Sequence, residues 1–215
     1  MNTLTKLALG MIGQLKDRPL QAESTTSVTL PAPATTGGMP LMQALQARQS
    51  RREFATTALE MQTLSELLWA GAGINRPELG GRTAPSALNA QEVDLHVALP
   101  TGLYRYDPVA HALRLGVARD VRRVTGYQDF TDEAALDLIF VADHRKMKRV
   151  PAAQRAAYAY TAAGAMAQNV YLFCASQGLA TVIRAWMDRD ALARAMDLEA
   201  DHQVLLAQTV GFAKG

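Results

Sequence analysis

The sequence is poor in cysteine, in aromatic side chains and in net charge. Its 215 residues include one cysteine, Cys174, only 6% aromatic residues, and 22 basic against 20 acidic residues, for a net charge of +2. A single cysteine excludes an internal disulfide framework and a zinc site built from several thiolates. So small a net charge is far from the basic footprint of a nucleic-acid-binding protein, and we expect no nucleic-acid partner.

The chain does have enough apolar material for one folded core. Hydrophobic residues make up 49% of it and charged residues 20%, which excludes wholesale disorder. The stretch 156–183 is uncharged and long enough to cross a bilayer, but its Gln, Asn, Thr and Ser side chains indicate a buried helix followed by a strand. Residues 7–13 are too weakly apolar for a secretory signal. We therefore predict no membrane partner and a cytoplasmic location, with periplasmic export as the alternative.

Composition divides the chain into an N-terminal arm, residues 1–38, and a single domain, residues 39–215. The segment 24–38 is uncharged and rich in Thr, Pro, Ala and Gly, so we expect it to be weakly ordered, without a partner in its own subunit. Apolar periodicity predicts strands over 93–99, 103–106, 113–115, 136–142, 179–186 and 203–212. Start and stop signals predict helices over 40–48, 63–71, 85–91, 119–126, 151–177 and 188–197. Hairpins mixed with helices predict an α+β fold, a mainly antiparallel sheet flanked by helices.

The predicted helix over 151–177 also bears on assembly. Most of its residues are alanine or other apolar types, and Gly178 follows as a left-handed stop. A helix that is apolar on nearly every side must be buried on nearly every side. One small domain rarely surrounds so long a helix, so the sequence predicts a homodimer.

An arginine-rich segment ends the first predicted helix of the domain, from Arg48 to Arg52. Guanidinium forks match phosphate oxygens with paired hydrogen bonds, and the Ser50 hydroxyl adds a neutral donor. The alternative is a solvated cap, because cations are favourable at a helix C-terminus. The residues alone leave both interpretations open.

A second candidate is the segment 82–91. Pro85 and Ser86 at a helix start would present free backbone N–H groups, and Asn89, one turn later, carries both a donor and an acceptor. This combination suits a heterocycle with alternating donors and acceptors. The alternative is an ordinary helix N-cap.

No other chemistry stands out. The sequence contains neither a Rossmann glycine fingerprint nor a P-loop, and its four histidines share no metal-binding spacing, so we expect no metal site. His96 lies on the polar side of its strand and is expected at the surface, and Cys174 is expected to be a structural thiol. No catalytic side chain can be singled out, so an enzyme with this sequence would need a cofactor.

Several segments, taken in order, resemble the nitroreductase family of FMN flavoproteins. They are the Arg48–Arg52 segment, Leu67 to Arg76, Arg82 to Gln91, the hairpin Gly102 to Asp107, Gly164 to Leu179, and the closing Val210-Gly211-Phe212. The resemblance covers residues 39–215. The sequence from Trp69 to Ser86 is most similar to that of the branch that includes azoline-oxidising (SagB-type) dehydrogenases.

The resemblance implies a nitroreductase-like fold with FMN at a homodimer interface. Arg48 and Ser50 would hold the FMN phosphate with backbone from Gln49, and Lys214 could reach it from the C-terminus. Arg52 would face the pyrimidine end, where a cation stabilises the anionic reduced flavin at N1. Asn89 would bind the polar edge of the flavin.

Two further segments would complete the cofactor site. Pro85, Ser86 and Ala87 would come from the partner chain. The segment Ile183, Arg184, Ala185 would pass the flavin, with a backbone N–H near Ala185 reaching N5. Typical members carry an acidic residue and a glycine where this sequence has Ala185 and Trp186, and Arg184 would place a charge beside the ring face.

The implied activity is that of an FMN-dependent oxidoreductase, which takes hydride from NAD(P)H and passes electrons to a nitroaromatic or quinone-like acceptor. One alternative is a flavin-dependent dehydrogenase of the azoline-oxidase type that is reoxidised by oxygen. Another is a flavin-binding protein without turnover. The sequence does not choose between NADH and NADPH, nor does it name the physiological substrate.

Overall fold

The computed structural model describes residues 1–15 and 26–215, and its centre is a seven-stranded antiparallel sheet. The strand order is β1-β6-β5-β4-β7-β9-β8. The strands are β1 (Ser27–Thr29), β4 (Val93–Leu99), β5 (Gly102–Asp107), β6 (Ala112–Val117), β7 (Leu136–Asp143), β8 (Leu179–Arg184) and β9 (His202–Phe212). A small hairpin, β2 (Ile74–Arg76) and β3 (Gly81–Arg82), lies apart from this sheet. The predicted α+β class is confirmed.

Helices cover both faces of the sheet. They are α1 (Thr3–Met11), α2 (Leu41–Ala47), α3 (Met61–Ala72), α4 (Ala152–Gln177) and α5 (Arg189–Ala195). Helices α3 and α4 pack on one face, and α5 with α1 on the other. No helix in the described ranges is long and apolar enough to cross a membrane.

The interior position of β7 explains the apolar run over residues 138–142. Leu138 and Phe140 point toward α3 and α4, whereas Ile139 and Val141 point toward the opposite core, and all four side chains are fully buried. Because both faces are covered, residues 138–142 are apolar on both sides of the strand and show no alternation.

Helix α4 runs from Ala152 to Gln177, as predicted to within one residue, and Gly178 caps it with φ 69°. The helix is not covered on every side by its own chain. Ala163 is fully buried against the sheet, but a stripe on the opposite side is exposed, formed by Ala157, Thr161, Gly164 and Gln168. The stripe carries no charge, so a second chain could cover it without burying an unpaired ion.

The arm differs from the expectation that it finds no partner in its own chain. Ser24 lies outside the described residues, but Ser27–Thr29 pairs with β6 at the sheet edge, and Leu30 is buried in the core. The Pro31 carbonyl accepts a hydrogen bond from the Ser65 hydroxyl. A short uncharged segment can order in this way because the sheet edge offers its unpaired backbone groups.

The first helix is tied to the domain by a buried ion pair. The Lys6 ammonium lies 2.8 Å from Asp132 Oδ1, and neither side chain is exposed to solvent. Lys6 also donates to Thr131 Oγ1 and to the Gln128 carbonyl. Composition gave no sign of this contact, because it depends on residues far apart in the sequence.

The expectations for Cys174 and for His96 have different outcomes. Cys174 is fully buried, and burial raises the pKa of its thiol, as expected of a structural residue. His96 is half-buried instead of lying at the surface, and burial lowers the pKa of its imidazole to about 4. The side of β4 that carries His96 is covered by the core on the α1 and α5 face of the sheet. An alternating sequence pattern does not reveal this cover.

Candidate functional site

The arginine-rich segment and the C-terminus run side by side and bring their cations together. Phe54 and Ala213 form an isolated antiparallel bridge, and the Lys214 amide donates to the Glu53 carbonyl at 3.2 Å. A cavity of about 340 Å³ opens beside this bridge, lined by Arg51, Arg52, Glu53, Ala213 and Lys214. The structure thus places the predicted Lys214 next to the predicted arginine segment.

Tyr171 of α4 joins the same segment to the edge strand β8. Its hydroxyl lies 2.7 Å from Ser50 Oγ and accepts a hydrogen bond from the Ile183 amide at 2.9 Å. The Arg48 guanidinium lies 5.4 Å from the Tyr171 ring centroid, and the Arg51 amide donates to the Thr181 carbonyl. Sequence reasoning missed Tyr171, because nothing in a run of helical apolar residues marks one hydroxyl as a link between two predicted site segments.

The four cations Arg48, Arg51, Arg52 and Lys214 are available for an anion. Within the described ranges none of them forms an ion pair with a carboxylate, although Glu53 lies in the same segment. Arg48 is half-buried and the other three are exposed. Unpaired cations concentrated at one place create a positive potential, and guanidinium groups with a hydroxyl are the donor set that binds a phosphate monoester. The residues therefore fit the phosphate end of FMN.

Gln49 and Arg51 form a contact that the sequence did not predict. The Gln49 amide, with its oxygen turned toward Arg51, accepts from the guanidinium Nη2 at 3.0 Å. Arg51 also lines a second, smaller cavity with Gln49 and Tyr171. Arg51 is therefore part of the cation cluster, although the sequence gave it no separate role.

Arg184 is a correction to the predicted site. Its guanidinium is buried, lies 2.7 Å from Asp137 Oδ1 and donates to the Thr125 carbonyl and to Thr209 Oγ1. Side chains alternate along a strand, so Arg184 points to the face opposite Ile183, whose amide binds Tyr171. Arg184 therefore does not project from the side of β8 that carries Ile183, and Asp137 neutralises its charge inside the protein.

The segment 85–91 is also a correction, since it is not an α-helix. A 3₁₀ turn spans Ala87–Asn89, and Leu88, Asn89 and Gln91 all have φ between 50° and 55°. These left-handed conformations are incompatible with a continuing helix. The Ser86 hydroxyl accepts from the Gln91 amide at 2.9 Å, so the serine closes a turn. The predicted helix over 119–126 is similarly reduced to a 3₁₀ turn at Arg122–Val124.

The cavity beside this loop is a different one from the cavity beside the cations. Pro85 and Ser86 line a small cavity with Ala162 and Met166, in the middle of α4. Tyr171 lies five residues beyond Met166 and nine beyond Ala162, which is ~8–14 Å along the helix axis. The supply of Pro85, Ser86 and Ala87 by a partner chain stays a prediction, as does the contact of Asn89 with the polar edge of the flavin.

Strand β8 lies at the edge of the sheet, and its outer edge faces the arginine segment. Ile183 is half-buried, and Ala185, immediately after the strand, is exposed. Trp186 follows with 51% of its side chain exposed. No group of three or more His, Cys, Asp or Glu side chains in the described part of the chain is arranged to hold a metal ion.

The fold is that of the nitroreductase family, a class of oxidoreductases that typically use a flavin. The chain belongs to the nitroreductase family, because the model of that family matches residues 45–212. The match contains α2 to β9, and with them the arginine segment, the 85–91 loop and strand β8.

Individual relatives agree with this membership. A Ralstonia eutropha JMP134 crystal structure with a provisional nitroreductase name is 51% identical, with a TM-score of 0.90, covering 94% of this chain and 96% of the other. A Methanocaldococcus jannaschii protein with a provisional nitroreductase name is 30% identical over 161 residues, which are 70% of this chain and 81% of the relative. The NADPH:FMN oxidoreductase of Vibrio harveyi, complexed with NAD+, is 18% identical with a TM-score of 0.61, over 81% of this chain and 69% of the other, and shows the fold alone. Membership of the azoline-oxidising branch stays a prediction.

Proposed function

We propose that the protein is an FMN-dependent oxidoreductase that is reduced by NAD(P)H and passes the electrons to a nitroaromatic or quinone-like acceptor. The observation that carries the proposal is a group of cations beside the outer edge of β8 that have no carboxylate partner among the described residues. Arg51, Arg52 and Lys214 line one cavity, and Arg48 lies over the Tyr171 ring. Family membership supports an oxidoreductase, and the Vibrio harveyi relative is named for FMN and NADPH.

The cation cluster would hold the phosphate of FMN, with the Ser50 hydroxyl as a neutral donor. Tyr171 keeps this hydroxyl at a fixed distance from the Ile183 amide, so the phosphate end and the strand that would pass the ring are held as one rigid unit. When bound, FMN supplies two-electron transfer between a nicotinamide donor and a second substrate. The chain itself contributes binding, orientation and positive potential.

The backbone of β8 offers a donor for the flavin ring. The Thr181 carbonyl and the Ile183 amide both point out of the sheet, since they bind the Arg51 amide and the Tyr171 hydroxyl. Outward-pointing backbone groups recur at every second residue of an edge strand. Continued for two residues, this alternation directs the Ala185 amide to the same edge, which supports the proposed contact between that N–H and flavin N5.

The proposed enzyme is a homodimer in which each site is completed by the other chain. Support comes from two features of the single chain. The loop containing Pro85 and Ser86 lines a cavity with Ala162 and Met166, ~8–14 Å along α4 from Tyr171. The exposed stripe of α4 is uncharged and has no partner among the described residues of one chain. A two-fold interface along this stripe would place the same patch of both chains in contact.

Replacing Arg48 with alanine should weaken FMN binding about tenfold to a hundredfold, because a charge-assisted hydrogen bond contributes ~1.5–3 kcal/mol. The measurement is fluorescence titration of the apoprotein with FMN. The matched control is Arg149→Ala, which removes an exposed arginine from a different surface. Equal FMN affinity in wild type and Arg48→Ala would remove Arg48 from the phosphate site.

Anaerobic mixing of the FMN-loaded protein with NADH or NADPH then tests the activity. Rapid bleaching of the flavin absorbance is expected with at least one nucleotide. A protein that binds FMN but is bleached by neither nucleotide would contradict the proposed donor and favour a dehydrogenase or a binding protein.

A further inference from the structure

Trp186 is a large aromatic side chain left half in solvent at the end of the edge strand. The exposed fraction of its side chain is 51%. The indole packs against the ring of Tyr127, with ring centroids 5.3 Å apart and planes inclined at 58°. A half-exposed tryptophan that packs on one side has a free ring face on the other. Such a face is available to stack against a planar molecule.

The Tyr127 ring that supports Trp186 is itself held by helix α1. A Cβ atom added at Gly10 would clash with Tyr127 Cε1, so the ring packs directly on the helix backbone at a residue without a side chain. The buried pair of Lys6 and Asp132 fixes α1 to the loop that follows Tyr127. Trp186 therefore packs against a Tyr127 ring that is itself held in place, because the ring packs on α1 and α1 is fixed by the buried ion pair.

The indole also lies within reach of the proposed flavin site. Ile183, whose amide binds Tyr171, is three residues before Trp186, and an extended chain spans at most ~10 Å over that distance. Arg184, two residues before Trp186, lies on the same side as Tyr127, since it donates to the Thr125 carbonyl, but Asp137 at 2.7 Å neutralises its charge. Trp186 therefore presents an aromatic surface next to the backbone that would contact the flavin.

We propose that Trp186, braced by Tyr127, is a specificity-determining residue that stacks on planar, electron-poor acceptors such as quinones and nitroaromatics. The proposal rests on the proposed function, since it assigns the acceptor side of that same site. The electron-rich face of an indole attracts an electron-poor ring in an offset stack. A non-planar acceptor gains nothing from it.

The kinetic test compares three acceptors, 1,4-benzoquinone, 4-nitrobenzamide and ferricyanide, in the FMN-loaded protein. Trp186→Ala should lower kcat/KM about threefold to tenfold for the two planar acceptors, through KM and not kcat. Trp186→Phe should retain part of the effect, and Tyr127→Phe, which keeps the supporting ring, should match wild type. Ferricyanide reduction and the rate of flavin bleaching by NAD(P)H should be unchanged in all variants.

A binding measurement without turnover gives a second readout. The chain has two tryptophans, so Trp69→Phe leaves Trp186 as the only indole. Adding 4-nitrobenzamide to the oxidised holoprotein, with no nicotinamide present, should quench its emission in a saturable manner. Addition of acrylamide as a non-stacking quencher provides the control for simple exposure.

The outcomes separate this inference from the function on which it rests. A protein that binds no FMN overturns both. A protein that binds FMN and is bleached by NAD(P)H, but in which Trp186→Ala leaves kcat/KM for the planar acceptors unchanged, overturns the role of Trp186 alone. Loss of rate with all three acceptors in Trp186→Ala would also overturn it, because a stacking residue should not affect ferricyanide.

Discussion

Asp137→Ala is expected to lower the free energy of unfolding by about 3–5 kcal/mol, because it leaves the Arg184 guanidinium charged and buried without its partner. Asp137 is fully buried, accepts from Arg184 Nη2 at 2.7 Å, and also accepts from the hydroxyls of Thr125 and Thr209. Removing the carboxylate therefore leaves three donors facing an empty space. Urea unfolding followed by circular dichroism measures the change.

The matched control is the double variant Asp137→Ala with Arg184→Met. Replacing both members of a buried ion pair by apolar side chains is often close to neutral, so the double variant should recover most of the lost stability. A cost below about 1 kcal/mol for Asp137→Ala alone would show that the pair is not desolvated as the structure has it.

Gly164→Glu should dissociate the proposed homodimer and release FMN at the same time. Gly164 is exposed on α4 and nothing lies within 4 Å of a Cβ built there, so a single chain accommodates the side chain without strain. In a two-fold interface the substitution would place two carboxylates close together, and like charges there cost several kcal/mol, or at least about a hundredfold in dimer affinity. Analytical ultracentrifugation with absorbance at a flavin band reports both quantities.

One control accompanies this variant. Val109→Glu adds the same charge at a position 84% exposed in the β5–β6 turn and should leave dimer and FMN unchanged. Ala163→Glu is unsuitable as a test of the interface, because Ala163 is fully buried within its own chain and a charge there would unfold the core. A Gly164→Glu protein that stays dimeric with bound FMN would place the interface elsewhere.

The local sequence pattern was sufficient to predict most of the helices and strands. Strands β4, β7 and β9 and helix α4 were predicted within one or two residues, because their apolar periodicity is long and their ends carry glycine or proline. The segment 85–91 failed because the Pro85-Ser86 start resembles a helix cap, whereas Ser86 in fact closes a turn onto Gln91. One side-chain hydrogen bond decides between the two, and sequence alone does not reveal which forms.

The residues of the candidate site also divide into those that the sequence revealed and those that it did not. The arginine segment was recognisable from its residues, and the structure brings Lys214 to it through a bridge between Phe54 and Ala213. The sequence could not predict the role of Tyr171 or the orientation of Arg184, since both depend on partners distant in the chain. Long-range pairing of this kind also explains why the arm, which looks featureless, is ordered against β6 from Ser27 to Thr29.

The most direct test of the account is a titration of the apoprotein with FMN and with riboflavin, which differ only in the phosphate. If the cluster of Arg48, Arg51, Arg52 and Lys214 holds that phosphate, FMN should bind at least about a hundredfold more tightly than riboflavin, since several charge-assisted hydrogen bonds are lost with the phosphate. The preference should also weaken with increasing salt. Equal affinities for the two compounds, or no binding of either, would contradict the account.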